Sequence, residues 1–132
     1  MTKTIDIGGV EVTMRCSALV PRLYRRATGR DLMRDMAALR ENYNKALRAS
    51  LDENMTEEEK QANQLDALDL EIFENLAWAF CRDADPEHVP DNPDAWLDQF
   101  PGIFSIYSVF PAMVDLWNDT NKQTSIPAKK TE

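Results

Sequence analysis

Glycine is scarce in this 132-residue chain. Its four glycines are too few for a fold built from many tight turns, which points towards helices. Cysteine is scarcer still. Cys16 and Cys81 stand far apart in the sequence, whereas a small disulfide framework uses more cysteines at closer spacing. Both are expected to be reduced, buried thiols. The one histidine, His88, has no serine or cysteine motif beside it and is a poor general-base candidate. No apolar run reaches the roughly 18 residues of a membrane span; the longest apolar region, Phe100 to Trp117, is broken by Pro101, Pro111 and Asp115. Met1 to Gly9 has no charged-then-apolar pattern of a secretory leader. Phosphate-cradling glycine loops, zinc-ligand clusters and H-E-x-x-H are absent too. The expectation is a cytoplasmic protein without catalytic residues, cofactor or metal, and with no membrane partner.

What is present looks globular. Hydrophobic residues make up 43% and charged residues 29%, and the length suits one domain with one core. Residues 3–15 hold two alternating runs, Ile5/Ile7 and Val10/Val12/Met14, around Gly8-Gly9. Such a pair reads as a β-hairpin with a two-residue turn, because both turn positions need positive φ. Its apolar face needs helices to pack on. Ser17 is a candidate cap for a first helix to about Ala27, with Pro21 in its first turn. A second helix is expected from about Gly29 to Ala49, on the stripe Leu32, Met36, Leu39, Tyr43 and Leu47. Thr56 and Glu59 form a capping-box signature, and a third helix is expected from there to about Arg82, on the stripe Leu65, Leu68, Ile72, Leu76 and Phe80. Residues 83–94 read as a proline-rich loop. Asn92-Pro93 opens a short helix through Trp96 and Leu97, and residues 103–119 read as a helix kinked or divided at Pro111. The expected fold is mainly α, with four to five helices and an N-terminal hairpin in a single domain over residues 1–120. Residues 121–132 read as a polar, disordered tail.

Charge is unevenly placed. The net charge is −8, yet residues 15–48 carry nine basic and three acidic side chains, and residues 52–98 carry two basic and fifteen acidic ones. An acidic surface repels phosphates, so nucleic acid is not an expected partner. Arg22, Arg25, Arg26 and Arg30 suit an acidic protein partner better, including another copy of this chain. Head-to-tail contacts between the two charged segments would build rings or filaments, so a homo-oligomer is expected. Trp96, Phe100, Phe104 and Tyr107 lie near helix ends and prolines and are candidate interface anchors, although aromatic residues are more often core. Asp83, Asp85, Glu87 and Asp94 imitate a calcium loop only faintly, because His88 stands where the sharp turn needs glycine and Pro86 and Pro90 stiffen the segment.

The order of a Gly-Gly hairpin, MRCSALVPRLYRRATGRDLMRDMAALR, an acidic middle helix and IYSVFPAMVDLWNDTNKQTSIPAKK resembles the tail assembly chaperones of long-tailed bacteriophages and prophages of Gram-positive hosts. The likeness is one of layout over most of the chain, closest at Val12–Arg34 and Asp115–Lys130. It implies a protein of the bacterial cytoplasm that coats the tape-measure protein, keeps its apolar helices in solution and leaves before the virion is complete. It also implies a longer, frameshifted form as a second partner, for which Lys129-Lys130 would suit an A-rich slippery codon run. Two alternatives stand beside it: an acidic DNA mimic that binds a basic partner, motivated by the carboxylates from Asp52 to Asp98, and, within the phage resemblance, a structural tail or head-completion protein that stays in the virion.

Overall fold

Gly8 and Gly9 form the turn that their pairing predicts. In the computed structural model of the chain, which describes residues 1–102 and 105–124, both have positive φ, 58° and 89°. Strand β1 (Thr2–Ile7) pairs antiparallel with β2 (Val10–Arg15), from Ile7 opposite Val10 to Thr2 opposite Arg15. Period-two alternation sends Ile7 and Met14 into the core, with Ile5 and Val12 half-buried against it,. Thr4 and Thr13 share a hydrogen bond (3.2 Å) on the outer face.

Six helices follow among the described residues: α1 (Val20–Thr28), α2 (Leu32–Leu51), α3 (Glu57–Ala62), α4 (Ala67–Ala84), α5 (Pro93–Leu97) and α6 (Ile106–Thr124). The mainly α architecture with an N-terminal hairpin agrees with the sequence, and several boundaries need correction. Ser17 does not cap α1. Its hydroxyl donates to Asp83 (2.8 Å) and accepts from the Leu19 N–H, and Leu19 stands at the N-cap without a side-chain bond. Gly29 ends α1 in the left-handed conformation (φ 72°) rather than starting α2,. Asp31 is the cap of α2, accepting from the Met33 N–H at 3.0 Å,.

The expected third helix is two helices. Thr56 and Glu59 do form a capping box, but α3 stops after Ala62, where the Asn63 side chain donates to the Glu59 carbonyl. Asp66 and Asp69 then form a second capping box that starts α4,. Two start signals ten residues apart define two helices, and the intervening polar residues have no apolar face to bury. Leu68, expected in the buried stripe, is 53% exposed in the first turn of α4.

α4 is the axis of the molecule. It packs against β2, α1, α2, α5 and α6, and every residue from Leu76 to Cys81 is buried, as expected of a helix enclosed on all sides. α2 contributes Leu32, Met36, Leu39 and Tyr43, and α6 contributes Val109, Phe110, Met113, Leu116 and Trp117. At the crossing of α2 and α6 the ring of Phe110 lies 5.1 Å from Tyr43 and 6.5 Å, edge-on, from Phe73,. Among the described residues no helix is long and apolar enough to cross a membrane.

Pro111 neither divides α6 nor ends it; the helix runs on to Thr124, past Asn121, where the sequence reading starts the tail. Phe104 and residues 125–132 lie outside the described residues. Pro111 has no N–H to give the carbonyl one turn earlier, and its own ring is exposed. Pro111→Ala is therefore expected to raise stability by about 1–3 kcal/mol, read as a higher urea midpoint by tryptophan fluorescence. A lower midpoint would show that the proline is required by its packing.

Candidate functional site

The nine-residue helix α1 buries Val20 and Tyr24 and turns Arg22, Arg25 and Arg26 to solvent. Spacings of three and four residues place all three arginines on the outer side of the helix. None of the three is in an ion pair among the described residues. Arg25 and Arg26 also stand in the last turn, where a cation meets the negative end of the helix,.

Arg30, the fourth candidate, is placed differently. Its guanidinium grips Asp35 through two hydrogen bonds (2.7 and 3.0 Å), and the Tyr24 hydroxyl donates to the same carboxylate at 2.6 Å. Asp35 is only 4% exposed. Burial pushes its pKa up, but the hydrogen bonds from Arg30 and Tyr24 and the charges of Arg30 and Arg34 outweigh that, and the net direction is down,. Arg30 thus fixes the α1–α2 corner. The sequence signal was available as Arg30 and Asp35 five residues apart across a helix start, but it does not distinguish this pair from a solvated one.

The aromatic candidates divide in the same way. Trp96 is 2% exposed and belongs to the core. Phe100 is half-buried, its ring 4.8 Å from Trp96 in a T-shaped contact. Tyr107 is 46% exposed and lies 5.4 Å from Tyr43, so of the described aromatic candidates it presents the most surface.

The acidic side chains gather in two places. Glu57, Glu58 and Glu59 are exposed in the first turn of α3, and α3 folds beside α2 at its C-terminal half, where Asn42, Lys45, Asn63 and Asp66 line a shallow polar cleft. α1 leads into the N-terminus of α2, and 20 helical residues separate the two ends of α2 by about 30 Å. The free arginines and the α3 glutamates therefore stand at opposite ends of one rigid helix. The second acidic group, from Asp85 to Asp98, follows α4, and within it Asp91 shares a groove beside Trp78 with Arg26 of α1.

Neither thiol is ionised near neutral pH. Burial pushes Cys81 up to about 12, and burial together with the Asp83 charge pushes Cys16 up to about 11 against a lowering hydrogen bond from Thr120,. Both are free. His88 is exposed and bonded to Asp85 at 3.0 Å; that bond and the carboxylate's charge raise its pKa. Among the described residues no group of three or more His, Cys, Asp or Glu side chains is arranged to hold a metal.

No family model, curated protein or solved structure matches the chain.

The Asp35 cluster makes a pH-dependent prediction. A carboxylate with a depressed folded-state pKa contributes stability that is fully present above the unfolded value and fades as pH falls towards the folded one. Asp35→Asn should destabilise at pH 7, by about 1–3 kcal/mol. The gap from the native chain should narrow as pH drops below about 4. A gap independent of pH in paired urea titrations would show that the charge of Asp35 contributes nothing.

Proposed function

We propose that this chain is a phage tail assembly chaperone, a non-catalytic protein that binds the tape-measure protein in several copies and holds it in solution during tail morphogenesis. The observation that supports this reading is the separation of charge along α2: Arg22, Arg25 and Arg26, in no ion pair among the described residues, at one end, and Glu57, Glu58 and Glu59 at the other. A subunit with complementary ends can add to the next head to tail, a heterologous contact that extends along a fibrous client without closing on itself. Exposed side chains, Leu19 (44%) and Met33 (56%) at the starts of α1 and α2 and Tyr107 (46%) beside Tyr43 within α2, are anchors for an apolar helix of the client. Layout and composition add to this, in the hairpin, the arginine-rich first helix and the acidic middle segment that resemble that family. The bacterial cytoplasm is the compartment this work requires.

The function is tested by co-expressing the chain, with any frameshifted longer form, alongside the tape-measure protein of the same genome. The client should become soluble and co-purify with several copies bound. A client that stays insoluble while this chain remains alone in the supernatant contradicts the reading, and capture of a basic host protein instead would favour the DNA-mimic alternative.

The assembly mode has its own test. Arg22→Glu, Arg25→Glu and Arg26→Glu together should abolish self-association at low salt in sedimentation velocity. Added salt should mimic that loss in the native chain, because exposed charges are screened over roughly 10 Å at 0.1 M. Sedimentation that responds to neither would rule out head-to-tail packing through α1.

A further inference from the structure

Among the described residues no strand pairs with the outer edge of β2. A two-residue turn closes on a hydrogen-bonded pair, here Ile7 and Val10,. The backbone groups of Val10, Val12 and Met14 therefore point at β1, and those of Glu11 and Thr13 point the other way. Neither residue's N–H nor its C=O has a hydrogen-bond partner among the described residues. An unpaired edge is a template for another strand.

This edge borders a groove. Val10 and Val12 line it from β2, together with the buried Cys81 and Trp96 and the half-buried Val89 and Phe100. Two carboxylates line the groove, Glu11 on the strand side and Asp85 opposite, where the His88 ring is bonded to Asp85 at 3.0 Å; the segment 85–100 also carries Glu87, Asp91, Asp94 and Asp98 outside the lining and has no lysine or arginine. A strand laid on β2 would turn alternate side chains to the apolar floor and the others to the acidic rim, since its period is two.

We propose that this groove takes an extended segment of a partner protein, with apolar and basic residues in alternation, as a third strand on β2. Backbone hydrogen bonds to Glu11 and Thr13 hold the segment, the half-buried Val10, Val12, Val89 and Phe100 select its apolar side chains, and Glu11 and Asp85 select its basic ones. This site is separate from the arginine face of α1 and does not depend on which partner the chain serves.

The test uses the full chain and a capped octapeptide of alternating lysine and valine, read by amide hydrogen exchange. At saturation the Glu11 and Thr13 amides should exchange about tenfold more slowly or less, while the same peptide with glutamate for lysine should have no effect. Thr13→Pro removes an outward N–H without touching a β1–β2 bond, and it should keep the native circular dichroism and lose the protection. Glu11→Lys, which leaves the backbone intact, should weaken binding at low salt and serves if the proline variant fails to fold. Unchanged exchange at Glu11 and Thr13, equal protection by the glutamate peptide, or undiminished binding by a folded variant would each overturn the proposal. None of these outcomes bears on tape-measure solubilisation, so the two readings fail separately.

Discussion

Asp83 is the constraint on which the arrangement of this molecule depends. Its carboxylate lies at the end of the central helix with a fully buried side chain, and four donors converge on it: Nε and a terminal nitrogen of Arg15 at 3.3 Å, and the backbone N–H and hydroxyl of Ser17 at 2.8 Å. A charge removed from water this completely is tolerable only when hydrogen bonds and an opposite charge replace its hydration. The cluster ties the end of β2 and the approach to α1 to one point on α4. A second tie comes from α6, where the Thr120 hydroxyl donates to the Cys16 carbonyl at 2.7 Å. An isolated two-stranded hairpin is marginal in water, and this one gains its stability from these ties and from Ile7 and Met14 in the core.

Local signals in the sequence were legible where chemistry leaves little choice. Gly8-Gly9, the Thr56–Glu59 box and Asn92-Pro93 each produced the predicted turn or cap, and the stripe Leu32, Met36, Leu39 and Tyr43 is the buried face of α2. The errors came where tertiary partners compete with local rules. Ser17 has an ordinary capping side chain, but Asp83, 66 residues away, claims its hydroxyl. Leu65 and Leu68 continue a helical period across a break that Asn63 and Asp66 impose through hydrogen bonds. Trp96 sits among prolines, as surface residues often do, yet α5 folds it against α4.

The two proposed interaction surfaces are only half legible in the sequence. Clustered arginines suggest a face, and three of the four named project from α1 without an ion pair among the described residues. Nothing local separates them from Arg30, whose partner Asp35 lies across a turn that the sequence does not position closely. The outer edge of β2 was outside the reach of pattern reading, because its pairing depends on which elements lie beside the hairpin. Both surfaces are rigidly placed for the same reason: α1 and β2 each pack on α4, and Asp83 joins them there. In the proposed recognition, preformed surfaces of this kind would avoid an ordering cost on binding.

The most direct measurement is native-state hydrogen exchange on Asp83→Ala. Loss of the carboxylate leaves the Arg15 charge and the Ser17 N–H without their buried acceptor. The amides of Val10, Val12 and Met14 should then exchange faster by a factor much larger than any change at Leu76–Phe80 in α4. An equal change throughout, or a hairpin as protected as in the native chain, would show that Asp83 is not what holds the hairpin to the central helix.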